Sequence, residues 1–412
     1  MVTAARPRTS PPSAADARVL SFDEALALLE QTVASLGSEE VALVHAAGRT
    51  LAEDVVARID APRSDVAIMD GYAVRLSDVG ERPLRVDGEV RPGIPLGKPL
   101  GGGEAARIFT GAPIPQGADR VIMQEYAEID GDAITFAEGH GPGNHIRPRA
   151  SDFARGNTLL TAGTRLTPQA LLAAAAADCS TLEVGRNPRL SIIATGDELT
   201  AAGEAHATAG GAIPDSASVG VAALAQRYGA RIVRAVRAAD DLATLSDLAS
   251  QALDEADVVV VIGGASVGRH DLAKPMFESS SLKLVFSKLA IKPGRPVWLG
   301  QAQGTPVLGL PGNPTSALVC ARLFLAPLLG LMQGAPLMRD LTFIALPTAD
   351  GLPENGPRET FLRAQVTPNG LSLSDNRYSG AQAALSQADW LIRRAPNASA
   401  RKSGTSVPAL PL

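Results

Sequence analysis

Three loops between residues 194 and 314 combine glycines with acidic, hydroxyl or amide side chains, and each follows an apolar run that predicts a strand. Backbone N–H groups of Gly/Ser turns and of helix N-termini bind phosphate-like anions. A carboxylate beside a bound phosphate usually shares a divalent cation with it, because the cation neutralises both. The loops therefore predict an anion site with a metal ion. The candidate residues are Thr195, Gly196, Asp197 and Glu198 in ATGDEL, Gly263, Gly264, Ser266, Gly268 and Asp271 in GGASVGRHD, and Pro311, Gly312, Asn313 and Pro314 in LPGNP.

The segments around these loops alternate between strand and helix patterns. RLSIIATG, ARIVRAVR and DVVVVIG predict strands, whereas SVGVAALAQRYG and DLATLSDLASQALDEA predict helices. Strands that alternate with helices form a parallel sheet that binds ligands at the carboxyl ends of its strands, so the three loops should meet at one edge. Each loop alone is equally consistent with tight turns and helix caps, but the three together favour a site. A G-x-x-x-x-G-K-[ST] phosphate loop and a G-x-G-x-x-G fingerprint are both missing, which disfavours an ordinary ATPase and a nicotinamide enzyme.

A cluster of cations lies in SKLAIKPGRP, which contains Lys288, Lys292 and Arg295. Three cations among apolar residues suit an anionic ligand. Solvated surface side chains explain this stretch almost as well. Its place between two predicted strands of the same sheet favours the site.

A β-rich, loop-rich texture extends from Val41 to about Arg147 and carries further acids. Asp65 and Asp70 lie in RSDVAIMDGYAV, Thr110 lies in IFTGAPIPQGAD, and Asp152 lies in RPRASDF. Turn residues and surface ion pairs are the alternative for each of them alone. The five histidines show no paired metal spacing and there is no H-E-x-x-H.

The composition predicts a globular protein of several domains. The chain has 412 residues, is 45% hydrophobic and 20% charged, and has a net charge of −5, so no global charge attracts nucleic acid or an acidic membrane. Two cysteines, Cys179 and Cys320, provide no disulfide framework, which fits a reducing compartment. We expect both to be buried thiols.

Two segments bear on localisation. Residues 1–17 lack an apolar signal core and are expected to form a flexible leader. The longest apolar stretch, residues 315–332, contains Arg322 and Pro327, which favours a buried core helix over a membrane span. A soluble, cytoplasmic protein is the expectation.

Six motifs in this order and spacing resemble the molybdopterin molybdenumtransferase family, the MoeA type that includes the gephyrin E-domain. The motifs are IMDGYAV, IFTGAPIPQGAD, ATGDEL, IGGASVGRHD, KLAIKPGRP and LPGNPTSAL. The resemblance extends from about Ser21 to Leu412. The string of six is highly specific, whereas GGASVG…D and LPGNP alone are shared with other molybdopterin-binding folds.

The resemblance implies a multidomain α/β plus β fold. Its parts would be a linker domain (residues 18–50 and 147–186), a β-rich domain (51–146), a parallel-sheet molybdopterin-binding α/β domain (187–332) and a C-terminal β domain (336–412). It also implies insertion of molybdate into adenylylated molybdopterin, with Mg²⁺ supporting the reaction and AMP released. The subunits would form a homodimer, and the β-rich domain of one would complete the cleft of the other. Transient contact with the molybdopterin adenylyltransferase and with apo-molybdoenzymes is expected.

The resemblance also implies roles for the candidate residues. Asp65, Asp70, Thr110 and Asp152 would face the α/β loops across the cleft. Glu198 and Asp271 would serve the metal and the pyrophosphate, with Asp197 in support. Lys288, Lys292 and Arg295 would hold phosphate or molybdate, and residues 311–314 would shape the pterin-side wall.

The chain departs from the family pattern at several loops. Ala217 stands where Asn is common, Ile262 where Ser or Thr is common, and Arg295 where Lys is frequent; VAIMDGYA replaces the common NSAMDGYA. These changes motivate an alternative function, a non-catalytic molybdopterin or molybdenum-cofactor carrier on the same fold.

Overall fold

The computed structural model describes residues 18–208, 210–263, 272–374 and 380–412. The predicted leader, residues 1–17, lies outside the described residues. The helices are α1 (Phe22–Thr32), α2 (Pro168–Ala176), α3 (Ser216–Arg227), α4 (Leu242–Glu255), α5 (Pro314–Cys320), α6 (Ala326–Met332) and α7 (Gln382–Leu385).

The strands fall on both sides of residue 186. The first twelve are β1 (Ser38–Ala42), β2 (Val55–Val56), β3 (Val66–Ala67), β4 (Gly71–Val74), β5 (Leu84–Val90), β6 (Glu104–Ile108), β7 (Arg120–Met123), β8 (Ala127–Asp130), β9 (Ala133–Phe136), β10 (Ile146–Arg147), β11 (Thr158–Leu160) and β12 (Thr181–Gly185). The others are β13 (Arg189–Thr195), β14 (Leu199–Thr200), β15 (Ile213–Pro214), β16 (Arg231–Ala238), β17 (Val258–Ile262), β18 (Lys283–Phe286), β19 (Ile291–Lys292), β20 (Trp298–Ala302), β21 (Thr305–Leu310), β22 (Ile344–Pro347), β23 (Glu359–Thr367), β24 (Gly370–Leu373), β25 (Trp390–Arg394) and β26 (Ser406–Pro411).

The helix starts that the sequence predicts are confirmed. Ser21 and Glu24 form both hydrogen bonds of a capping box at α1. Thr167 caps α2, with Pro168 at its first position. The predicted end of α1 near Leu36 is wrong, because the helix ends at Thr32. Val33 adopts an extended backbone and is buried in the core.

A small module links the N-terminal segment to residues 153–185. Strand β1 pairs with β12, and β2 pairs with β11, both antiparallel. Helix α2 contributes Ala170 and Ala174 to the core of this module. Helix α1, which the sequence places in this domain, buries its apolar face in the core of the α/β sheet. The domain boundaries stay predictions.

The β-rich module is a six-stranded sheet in the order β7-β4-β6-β5-β9-β8. The two faces of this sheet bury separate apolar clusters: Ala73 and Ile108 belong to one, Tyr72 and Ile122 to the other. The short pair β3–β10 joins residues 66–67 to 146–147. This pair brings the acid-bearing segments at both ends of the module together.

The α/β module contains a six-stranded sheet in the order β16-β13-β17-β21-β20-β18. Alternate residues of β17 point to opposite faces: Val258 and Val260 pack in the cluster that includes α3 and α5, and Val259 and Val261 pack against α4. From β13 the chain first adds β16 on one side and then β17 on the other. The strand order therefore reverses between β13 and β17, which is where open α/β sheets bind ligands.

The sheet is mixed and not wholly parallel, which corrects the sequence prediction. Strands β16, β13, β17 and β21 are parallel, but β20 is antiparallel to both β21 and β18. Gln303 and Gly304 connect β20 to β21 with φ of 52° and 86°, as in a two-residue type I′ hairpin. A connection this short permits only antiparallel neighbours.

The C-terminal module is a sheet in the order β19-β23-β25-β26-β22, with β24 on β23. Strand β19 comes from the KPGRP segment of the α/β module and pairs in parallel with β23. Phe361 and Leu391 of this sheet pack into the same core as α1. The two modules thus share a strand and an apolar contact.

The apolar segment Pro314–Met332 is long and apolar enough to cross a membrane, but 83% of its most apolar window is buried inside the protein. It is continuous through a π-helical turn, Ala321–Leu325. The Arg322 guanidinium within this turn donates to the carbonyl oxygens of Pro411 and Asp340 at 2.7 and 2.8 Å. The prediction of a buried core helix is confirmed. Cys320 on this helix is also buried, and burial raises the pKa of its thiol; Cys179 is only half-buried.

One close approach in the sheet predicts a stability effect. A Cβ on Gly309 would lie 1.9 Å from Nε1 of Trp298, whose side chain is fully buried. We expect Gly309→Ala to lower the free energy of unfolding by about 1–3 kcal/mol, as overpacked cores do. Gly220→Ala is the matched control, because its Cβ would meet only Leu318 at 3.8 Å inside a helix. It should raise stability by up to about 1 kcal/mol. Chemical denaturation of both variants measures this, and equal midpoints would contradict it.

Candidate functional site

A cavity of about 570 Å³ lies at the carboxyl ends of β13, β17 and β21, where the strand order reverses. The described residues that line it all come from residues 195–314. They are Thr195, Gly196, Glu198, Leu199, Ile213, Pro214, Asp215, Ser216, Ala217, Asp240, Ile262, Gly263, Pro296, Pro311, Gly312, Asn313 and Pro314.

The structure brings the three predicted loops together, and glycines allow their contact. Gly263 has a φ of +105°, and a Cβ on it would lie 2.5 Å from the carbonyl oxygen of Thr195. A Cβ on Gly312 would lie 3.3 Å from the Cα of Gly263. Asn313 caps α5 through its side-chain oxygen, as the sequence predicts. Gly264, Ser266, Gly268 and Asp271 lie outside the described residues.

The two acids of the first loop differ in position. The carboxylate of Glu198 lies over Gly196, where an added Cβ would come within 2.8 Å of its oxygen, and it lines the cavity. Asp197 does not line the cavity and accepts the backbone N–H of Asp240 at 2.9 Å. Glu198 is therefore available to a ligand, whereas Asp197 fixes a turn.

Sequence reasoning missed polar residues of this cavity that the fold brings in from other segments. Asp215 and Asp240 line it, as does Ser216 at the start of α3. The hydroxyls of Thr195 and Ser216 are buried and have no hydrogen-bond partner among the described residues. The available signal was Asp-Ser before a helix pattern, which reads equally well as an ordinary N-cap.

A second cavity of about 660 Å³ lies between the α/β module and the C-terminal sheet. Lys292 and Arg295 line it, and Pro296 and Pro311 line both cavities. Lys288 does not line either of these described cavities; its carbonyl oxygen accepts the Leu20 N–H. The sequence did not predict the C-terminal cations of the lining, which are Arg358, Arg363 and Arg394.

The two cavities carry opposite charge. The first is lined by three carboxylates, Glu198, Asp215 and Asp240, and by no Lys or Arg among the described residues. Among the residues that the structure describes, the second is lined by five cations and a single acid, Glu354. Adjacent acidic and basic chambers suit a ligand that brings a metal ion or N–H donors to one side and oxyanions to the other.

In the β-rich module, Asp70 and Thr110 form a pair. The Asp70 carboxylate accepts the Thr110 backbone N–H at 2.7 Å and its hydroxyl at 2.8 Å. These two hydrogen bonds hold the pKa of Asp70 below its usual value, with a smaller contribution from Arg107. Asp70 is thus an exposed, ionised carboxylate in a fixed orientation.

The other two predicted acids lie on neighbouring segments. Asp65 accepts the backbone N–H of Arg149 at 2.8 Å, and Asp152 lies 3.7 Å from the Arg147 guanidinium. Asp60, which the sequence analysis did not single out, accepts the backbone N–H of Arg155 and the guanidinium of Arg149. In the part of the chain described here, no hydrogen bond or ion pair of Asp65, Asp70 or Asp152 reaches the α/β module.

The Asp70–Thr110 pair predicts a measurable change in pKa. Thr110→Val removes the hydroxyl but keeps the backbone N–H, so we expect the Asp70 pKa to rise while staying below its usual value. A depressed carboxyl pKa contributes stability above the unfolded-state pKa, near about 4, and that contribution is lost as pH falls through the folded pKa. The variant should therefore protonate Asp70 at a higher pH than wild type.

Carboxyl-carbon NMR titration of Thr110→Val measures the predicted shift. Thr110→Ser keeps the hydroxyl and is the control, with an expected Asp70 pKa equal to that of wild type. An unchanged pKa in the valine variant would assign the depression to the backbone N–H alone.

Oxygen donors dominate the candidate metal site. Among the described residues, no group of three or more His, Cys, Asp or Glu is close enough to enclose a metal by itself. Mg²⁺ usually binds through one or two carboxylates, several waters and substrate phosphates. Glu198, with Asp215 and Asp240 in the same wall, fits that donor set.

Family models match both halves of the chain. One described as MoeA N-terminal region (domain I and II) matches residues 20–177, and one described as probable molybdopterin binding domain matches residues 191–330.

Curated relatives and solved structures cover most of the chain. The molybdopterin molybdenumtransferase of Nostoc sp. is 33% identical over 365 residues, 86% of this chain and 82% of the relative. That of Haemophilus influenzae is 35% identical over 319 residues, 77% of this chain and 78% of the relative. Two structures of the molybdopterin biosynthesis MoeA protein from Pyrococcus horikoshii align over 95% of this chain. Their TM-scores are 0.77 and 0.79, at 30% and 27% identity, and they are covered over 99% and 100% of their own length.

Proposed function

This chain belongs to the molybdopterin molybdenumtransferase family, and from that membership and the site geometry we propose that it inserts molybdate into adenylylated molybdopterin. The reaction releases AMP and forms molybdenum cofactor. One feature supports this activity above others. The acidic cavity, which lies where the strand order reverses, adjoins a cationic cavity through the shared residues Pro296 and Pro311. A substrate that joins a neutral pterin to phosphates, and reacts with a tetrahedral dianion, requires both surfaces.

Mg²⁺ supplies positive charge that offsets the phosphate charges of the substrate. Glu198 would hold it from the acidic cavity, together with Asp271, which lies outside the described residues. Glu198 is suited to this role because its carboxylate faces the cavity, whereas Asp197 is engaged with the Asp240 N–H.

The cationic cavity would bind the oxyanions. Lys292 and Arg295 place two positive charges beside the shared wall, and Arg358, Arg363 and Arg394 add others. Guanidinium groups bind tetrahedral oxyanions through paired hydrogen bonds. Lys288, an exposed residue between the buried Ser287 and Leu289, would act from the segment that leads to Lys292. Thr195 and the glycines of the loops offer donors to phosphate oxygens.

The reaction would break the phosphoanhydride bond between AMP and the molybdopterin phosphate: an oxygen of water or molybdate forms a bond to one phosphorus, and the bridging oxygen leaves with the other phosphate. Negative charge develops on the oxygens of the leaving phosphate, and fixed cations stabilise it. No covalent protein intermediate is required. The role of this chain is therefore to position the reactants and to stabilise charge.

A homodimer would complete the cleft, with the β-rich module of the partner facing the α/β cavity. Asp65, Asp70, Thr110 and Asp152 would then meet the bound substrate from the opposite side. Their exposure, and the fixed orientation of Asp70, support this placement. The product would pass to apo-molybdoenzymes, and the substrate would come from a molybdopterin adenylyltransferase. Such chemistry fits the cytoplasm.

The direct test is AMP release from adenylylated molybdopterin, measured with and without molybdate and Mg²⁺. We expect release that requires both. AMP release that is independent of molybdate would contradict molybdenum insertion.

Two apolar residues of the acidic cavity motivate the alternative, a carrier of molybdopterin or molybdenum cofactor. Ile262 is 3% exposed and Ala217 is 6% exposed, and both line the cavity where the family pattern has polar residues. Tight pterin binding without AMP release would favour the carrier. Restored release in an Ile262→Ser, Ala217→Asn variant would identify these two residues as the cause.

A further inference from the structure

Asp215 lies in the wall of the acidic cavity with most of its surface buried. It is 4% exposed and it lines the cavity. Its Oδ1 accepts the Ser218 backbone N–H at 3.0 Å and so caps α3. Its Oδ2 has no hydrogen-bond partner within the described residues. A nearly buried carboxylate with a free oxygen on a cavity is a site for an N–H donor of a ligand.

Two hydroxyls in the same wall are also without partners. Thr195 and Ser216 line the cavity, and their side-chain oxygens, Oγ1 and Oγ, are buried and make no hydrogen bond with the described residues. Buried polar groups are nearly always paired in folded proteins. A ligand with polar edges would pair them. These hydroxyls are a second observation, independent of the helix cap, that points to a bound ligand.

Apolar residues make up a large part of the same wall, beside the polar Glu198, Asp240 and Asn313. They are Leu199, Ile213, Pro214, Ala217, Ile262 and Pro311. Since the described lining holds carboxylates and no cation, a phosphate would need Mg²⁺ to bind here, whereas a neutral group with N–H donors would not. A flat heteroaromatic ring with N–H donors on one edge suits both surfaces.

We infer that Asp215 is a specificity-determining residue that binds the 2-amino and N3–H edge of the pterin; this rests on the proposed function. These two adjacent donors match a carboxylate as the fork of an arginine does. Each carboxylate oxygen has two acceptor positions, so Oδ1 can keep its cap on α3. Adenine presents an amino donor beside a ring-nitrogen acceptor. The lone pair of that ring nitrogen would repel a carboxylate oxygen. The acidic cavity therefore takes the pterin end of the substrate and not the adenine.

Asp215→Asn tests this assignment, because Asn caps a helix as well as Asp does but turns one acceptor into a donor. We expect the Kd of anaerobically prepared molybdopterin to rise at least about tenfold, since charge-assisted hydrogen bonds are lost. The Kd of AMP should not change. Asp241→Asn is the matched control: Asp241 caps α4 in the same way, is exposed, and does not line the cavity.

The ratio of the Kd values of two ligands, measured on the same variant, does not depend on how much of that variant is folded. 6-Hydroxymethyllumazine has a 2-oxo group and an N1–H where 6-hydroxymethylpterin has the 2-amino group and an unprotonated N1, and both have the N3–H. Wild type and Asp241→Asn should prefer the pterin, and Asp215→Asn should lose that preference.

Three results would overturn the assignment while leaving the proposed function intact. They are an equal molybdopterin Kd in wild type and Asp215→Asn, a loss confined to AMP binding, and a raised Mg²⁺ requirement with unchanged molybdopterin affinity. If wild type itself bound no molybdopterin, both the assignment and the proposed function would fail.

Discussion

Glu198→Gln is expected to lower the rate of molybdate-dependent AMP release by about 100-fold or more. Its carboxylate is the described acid of the first loop that faces the cavity, where it would hold the cation that offsets phosphate charge. Removal of one preorganised charge contact in the transition state typically costs about 10²–10³ in rate. Glutamine has the same size, so the contact with Gly196 is retained and the loss is one of charge.

Asp197→Asn is the matched control for this experiment. Asp197 is adjacent in sequence and carries the same charge, but its carboxylate accepts the Asp240 N–H and does not line the cavity. Asparagine keeps an acceptor oxygen for that hydrogen bond, so we expect a change in rate below about fivefold.

Mg²⁺ titrations separate the metal role of Glu198 from a purely structural one. If Glu198 holds the cation, Glu198→Gln should need more Mg²⁺ for half-maximal rate and should recover partly at high Mg²⁺. AMP release at the wild-type rate in Glu198→Gln would remove Glu198 from the metal site. Equal losses in both variants would indicate damage to the loop.

Local patterns were sufficient to predict the strands and the convergence of the loops. Val258 to Ile262 are β-branched and fully or nearly fully buried, so their run predicts a strand inside a two-sided sheet. Parallel strands bring their carboxyl ends to one edge, which is why Thr195, Gly263 and Gly312 come together.

Two kinds of feature could not be predicted: a local turn with a weak sequence signal, and contacts between segments that are distant in sequence. The β20–β21 hairpin uses Gln303-Gly304, a weaker turn signal than Asn-Gly. Lys292 pairs with a strand from the C-terminal sheet, so the cations that accompany it, such as Arg363, are not near it in sequence. Asp215 reads as an ordinary helix cap until the fold places it on the cavity.

A heterodimer of one Glu198→Gln subunit and one Asp70→Asn subunit is expected to recover about half of the wild-type rate of AMP release. Each homodimer should be nearly inactive, because every cleft lacks either the α/β acid or the β-rich acid. If the cleft joins the α/β module of one subunit to the β-rich module of its partner, the heterodimer has one intact cleft and one doubly altered cleft. Purification through two different affinity tags isolates it.

A second heterodimer distinguishes a shared cleft from one formed within a single chain. It pairs a wild-type subunit with a subunit that carries both substitutions. In a shared cleft, each site then contains one altered residue, so this dimer should be nearly inactive. In a cleft formed within one chain, the wild-type subunit would keep its full site, and about half of the activity would remain. The two heterodimers contain the same two substitutions, so opposite activities can arise only from their arrangement, and the reverse result would assign the cleft to one chain.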